Sequence, residues 1–297
     1  MTASSALLVL TAVALVLGGW CYVRGLVVVR RHPQGRRVHR WRPLAAALGV
    51  LVVVLVAGSP LGELLEKRLS THMVQHLVLM LVAAPLFAYA APGQPLLAGL
   101  PRFLRRPLVR LGHRLPLRGL LAPHLAWAGY VVGLWAWHLP VAYDAALHSE
   151  TTHLLEHATF LVSAWLFWWH LATISRRRMR GIPAVLYLVA AIPPGAALGA
   201  VLTFPNHPLY PVQAALARAT GVDPVHDQRI AGLVMWVPLD FAFVLVAVLL
   251  LARWLRNLQD RWPEPAYDQL DEPVLSVPTG SSARVSSTVR HTREGAR

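Results

Sequence analysis

Long apolar runs alternate along this chain with short polar blocks, and most of the runs have the length of a membrane crossing. Seven stand out: Ser5 to Val23, Pro43 to Gly58 (extending to Leu61), His72 to Ala91, about Leu120 to Leu139, His153 to Ile174, Ile182 to Phe204, and Ile230 to Trp254. A hydrocarbon core about 30 Å thick needs roughly 20 apolar helical residues to cross it. Only helices and closed barrels satisfy their backbones there. The pattern therefore predicts an all-α, polytopic membrane bundle of seven transmembrane helices over residues 1–262. Pro193-Pro194-Gly195 should loosen the sixth helix, and a small amphipathic link, Glu63 to Ser70, should precede the third. Residues 263–297 carry Ser, Thr and Pro without apolar periodicity, which predicts a disordered tail. The first run has no basic residue before it and no small-x-small cleavage site, so it reads as a retained span.

The polar blocks differ in charge. Residues 24–42, 93–118 and 176–180 together hold 17 arginines, whereas the intervening blocks hold only Lys67, Arg68 and Arg218, with Arg229 at a boundary. Basic loops stay cytoplasmic, so the N-terminus is expected outside and the C-terminus, with its tail, in the cytoplasm. That distribution also explains the net charge of +14 as topology and contact with anionic lipid, not as a nucleic-acid surface. With one cysteine, Cys21, an intramolecular disulfide and a cysteine-based zinc site are excluded.

Histidine runs against the basic charge. Eight of the 14 histidines (72, 76, 138, 148, 153, 157, 207 and 226) fall at the expected outer side, where Lys and Arg are scarce. Two pairs, His72/His76 and His153/His157, are four residues apart and so share a helix face. His138 ends the fourth span. Met73 and Met80 lie on the third span and Met235 on the seventh, and imidazole with thioether suits copper, the cuprous ion above all. The candidate ligands are therefore His72, His76, His138, His153, His157, Met73, Met80 and Met235. Gln75, Asp144, Glu156 and Asp227 are the polar neighbours able to orient or tune them. Asp227 alone has a second reading, as an acid capping a helix N-terminus. His148 and His226 read as loop residues at the interface, and His124 and His170 lie at the opposite ends of their spans. Asp240, some ten residues into an apolar span, needs neutrality or a partner.

These motifs, in order, resemble those of the CtaG-like cytochrome c oxidase assembly proteins, seven-span factors associated with caa-type oxidases in bacteria. The pieces are Met73-x-x-His76 running into Ala84-Pro85 and Ala91-Pro92, Trp137-His138-x-Pro140 with Tyr143-Asp144, and His153-x-x-x-His157. They continue with Leu202-Thr203-Phe204, Pro208-Leu209-Tyr210-Pro211, and Asp227-Gln228-x-x-Ala231-Gly232-x-x-Met235-Trp236. The resemblance implies maturation of a terminal oxidase by handling copper for its metal centres at the outer face of the bacterial cytoplasmic membrane. The implied partners are oxidase subunits, and an extracytoplasmic copper carrier.

Two other functions use the same residues. Histidines on different spans could ligate haem in a b-type electron carrier, and a copper transporter would need a polar path through the inner half, where only Asp240, His124 and His170 are available. An enzyme is not expected, since no nucleophile, base and orienting group come together in the sequence.

Overall fold

A computed structural model describes residues 3–31, 41–57, 68–114, 122–172 and 179–260. The expected tail, most of the 63–70 link and the Arg176–Arg178 block lie outside the described residues. All regular elements among the described residues are helical, and one compact unit runs to Leu255.

In chain order the helices are α1 (Ala3–Arg31), α2 (Trp41–Ala57) and α3 (Leu69–Ala90), then α4 (Gly93–Gly99) and α5 (Arg102–Arg114). They continue with α6 (Pro123–Trp137), α7 (Pro140–His148), α8 (Glu150–Ala172), α9 (Ile182–Val189) and α10 (Ile192–Thr203). Last come α11 (Pro211–Ala219) and α12 (Pro224–Gln259).

Helix occurs at each of the seven expected spans, but seven crossings are more than length and apolarity alone establish. By those measures α3, α9 with α10, and α12 are long and apolar enough, and α6 with α7 makes a fourth if that pair, bent by 72°, is one span. α2 is apolar but shorter. α8 has 23 residues, yet Glu156, His157 and His170 lower its hydropathy. The sequence read 93–118 and 141–152 as loops; helices α4, α5 and α7 occupy much of both, started by Pro140 at the head of α7.

Two features govern how α3 sits. Between Leu79 and Ala83 it widens into a π-turn, and the Ala84 N–H reaches back to the Leu79 carbonyl. The next such bond would come from residue 85, a proline with no N–H. The Met80 carbonyl is instead satisfied from α8, where the Trp168 indole N–H donates to it at 2.9 Å. This ties α3 to α8 across the bundle. At the start of α3, Arg68 occupies the cap position without a side-chain cap bond, and the helix end is closed from α12, as described below.

The core between α6, α8, α9 and α12 is aromatic. Tyr130 and Tyr187 each stack on Phe167 at 4.7 Å, and Phe243 lies 5.5 Å from the same ring. Such pairs contribute about 0.5–1.5 kcal/mol each beyond area burial. Where backbones cross closely, glycine is required. A Cβ on Gly99 of α4 would strike the Cys21 carbonyl of α1, and one on Gly232 of α12 would strike Thr203 and the Gly199 carbonyl of α10.

Candidate metal centre

His72 and His76 stand one turn apart on α3, with ring centroids 4.3 Å apart. Facing them on α8, His153 and His157 repeat the arrangement at 4.2 Å. The pairs interleave. His72 is 5.3 Å from His153 and 5.9 Å from His157, and His76 is 5.2 Å from His157. Glu156 lies between them, one oxygen 3.5 Å from His76 Nε2 and the other 3.8 Å from His72 Nε2. His76 and Glu156 are wholly buried and His72 is 1% exposed. The two histidines that i, i+4 spacing puts on one face of α3 thus meet two from the same spacing on α8.

Two sets of three could each hold one ion: His72, His153 and His157, and His72, His76 and Glu156, with the ligand atoms of each set within 4.8 Å of one another. The donor chemistry fits a cation. Neither ring nitrogen of His72 or of His76 has a hydrogen-bond partner among the described residues. A neutral imidazole always carries one N–H, and leaving such a group buried without a partner costs about 1–3 kcal/mol. A buried carboxylate also costs free energy unless a positive charge accompanies it. A coordinated metal offsets both.

His138 joins from the end of α6, its ring 6.0 Å from that of His76. Its Nδ1 lies 2.7 Å from the Leu134 carbonyl, an acceptor only, so Nδ1 carries the proton. In the neutral ring Nε2 is then a bare lone pair, and it faces the Met73 sulfur at 3.2 Å. A thioether has no proton to give. Two lone-pair donors pointed at one another make a natural seat for a soft cation.

The backbone of His138 is held in turn. Tyr210, ahead of α11, donates its hydroxyl to the His138 carbonyl at 2.8 Å and packs 4.5 Å from Tyr143, whose ring lies 5.4 Å from His72. Burial first, then the Glu156 and Asp144 carboxylates, raises the Tyr210 phenol above its ordinary range. It therefore stays a donor at any working pH. Phe160 covers the inner side of the cluster, 4.4 Å from His76 and 5.9 Å from His138.

The structure gathers His72, His76, His138, His153, His157 and Met73 of the expected ligands, and brings Glu156 among them as a candidate ligand in its own right. Met80 and Met235 are buried core residues, and neither sulfur forms a hydrogen-bonded contact to a histidine of the described residues. Gln75 is buried on α3, and Asp144 is half-buried on α7, its carbonyl accepting from His148 at 2.6 Å. Asp227 bonds to no histidine among the described residues: it accepts from the Leu69 N–H at 2.7 Å and from the Ser70 hydroxyl at 2.5 Å. The capping alternative is the geometry found, with the capped helix being α3 and not its own. Gln228 beside it accepts from the Leu209 N–H at 2.7 Å and donates to the Leu202 carbonyl at 3.2 Å, fastening the α10–α11 connection. His148, His207, His226 and His124 are exposed, and His170 is buried beside Tyr187, away from the cluster. The sequence had not singled out Tyr210 as a support, because its partner lies 72 positions away.

Comparison with curated proteins and with solved structures returned no match. Residues 20–257 match the model of the cytochrome c oxidase caa3 assembly factor (Caa3_CtaG), most of the length of the chain, and the chain belongs to that family.

Proposed function

We propose that this oxidase assembly factor binds copper at the α3–α8 histidine cluster and delivers it to the metal centres of the terminal oxidase. Copper is cargo in this reading, and no reaction is catalysed. The observation that carries it is the contact between His138 Nε2 and the Met73 sulfur beside a cluster of four histidines, three of them buried. Imidazole alone suits zinc, iron or nickel as well, whereas imidazole with thioether favours copper, and in particular its cuprous state. Imidazole, thioether and carboxylate also release an ion more readily than thiolates do, as delivery requires. Against the haem alternative stand the convergence of both i, i+4 pairs on one place and the carboxylate among them.

The reading places seven spans in the bacterial cytoplasmic membrane, with the N-terminus and the cluster outside and the arginine-rich blocks in the cytoplasm. The partners are oxidase subunits, together with an extracytoplasmic copper carrier that loads the site. Metal analysis of the purified protein, beside a variant lacking both His72 and His76, tests the proposal. Stoichiometric copper in the first and none in the second is expected, and a wild-type protein that takes up no copper refutes it.

A further inference from the structure

His72 belongs to both three-residue sets. We infer that the ion occupies two successive positions that share His72, captured by His72, His153 and His157 and then held by His72, His76 and Glu156. This rests on the metal-binding reading above and adds an order and a direction to it.

Three observations carry the inference. First, a shared ligand allows an ion to pass between the sets by exchanging two partners while keeping the third, so it never leaves the protein. The ligand atoms of each set already lie within 4.8 Å of one another. Bond lengths of about 2.0–2.2 Å close that span after shifts of a few tenths of an ångström per side chain. No hydrogen bond of the His72 ring has to break first.

Second, access differs. His153 is only half-buried, while His76 and Glu156 have no exposed surface. The His153 set is therefore the one an arriving ion meets. Third, charge differs. Three imidazoles are neutral ligands, whereas the second set includes a carboxylate, whose attraction for a cation is strong at low dielectric. The ion gains by moving from the accessible set to the enclosed one, and the reverse step sets the rate of release.

The test uses the full-length protein in detergent or nanodiscs, with Cu(I) supplied from a chromophoric chelator. Loading rate and equilibrium affinity are read separately for wild type, His153→Ala, Glu156→Gln and His72→Ala. His153→Ala should slow loading by about tenfold and leave affinity nearly unchanged. Glu156→Gln should load at the wild-type rate but lose about tenfold or more in affinity, in the range seen when a ligand's immediate environment is altered. Its X-ray absorption spectrum should show nitrogen ligation with no oxygen from carboxylate. His72→Ala should lose both. Parallel changes in rate and affinity for His153→Ala and Glu156→Gln would overturn the two-position order while leaving copper binding in place. Wild-type protein that binds no Cu(I) would overturn the binding reading itself.

Discussion

Asp227, in the first turn of α12, accepts the Leu69 backbone N–H at 2.7 Å, across 158 residues of sequence. Leu69 opens the helix whose first two turns carry His72, Met73 and His76. One carboxylate thus closes the buried N-terminus of the ligand-bearing helix, adds a favourable charge at the positive end of its dipole, and fixes α12 to α3. It acts on the histidines through the backbone, without touching them.

Asp227→Asn keeps the shape and one acceptor but removes the charge. It should destabilise the protein by about 1–2 kcal/mol and weaken copper binding several-fold without abolishing it. Thermal unfolding and chelator competition on one preparation check this. Copper affinity unchanged beside a lowered melting temperature would confine Asp227 to stability.

His76→Ala should leave the protein inserted and folded, since the lost ring makes no hydrogen bond among the described residues, while copper-dependent oxidase activity in the host falls sharply. Excess copper should restore part of that activity if delivery is the defect. Normal oxidase activity with the variant stably present would rule the delivery mechanism out.

Replacing Trp168 with Phe retains an aromatic ring against Phe167 and Phe243 but leaves the Met80 carbonyl with no donor. An orphaned buried acceptor costs about 1–3 kcal/mol, so a lower melting temperature is expected. If melting is unchanged, another group satisfies that carbonyl.

Gly99→Ala should disrupt the α1–α4 contact, because its Cβ would meet the Cys21 carbonyl and backbone there cannot yield as a flexible side chain can. Crosslinking between Cys21 and a cysteine placed on α4 should drop in the variant. Crosslinking at the wild-type level would show that the helices separate without cost.

Reporter fusions after Arg118 and after Glu150 should report opposite sides of the membrane. Both on one side would sink the seven-span topology and the outside placement of the cluster.

Local periodicity made the two histidine pairs legible, because i, i+4 spacing is a property of one helix and needs no knowledge of its neighbours. Their meeting across α3 and α8 was expected from the outer-end positions of His72 and His153. Glu156 read as a neighbour of the site and proved to lie within it, since adjacency in sequence does not say which way a helical side chain faces. Met80 follows His76 by four residues, a spacing that shares a face only at 3.6 residues per turn, and α3 leaves that geometry at Leu79, one residue earlier. Asp227 offered two readings, and the decisive partner, the N-terminus of another helix, is nonlocal. Crossings are legible by length and apolarity for α3, α9–α10 and α12. α8 does not meet that measure, because its site residues lower its hydropathy.

The widened turn at Leu79–Ala83 has a consequence for insertions and deletions. It puts the phase of α3 out of step, so the stretch before it and the stretch after it answer to different rotational settings. Deleting one residue while the π-turn persisted would turn the histidine-bearing half by about 100° relative to the rest. His72 and His76 would then swing off α8 with every ligand still present in the sequence. The number of residues between His76 and Pro85 is as much a determinant of metal binding as the identity of any ligand.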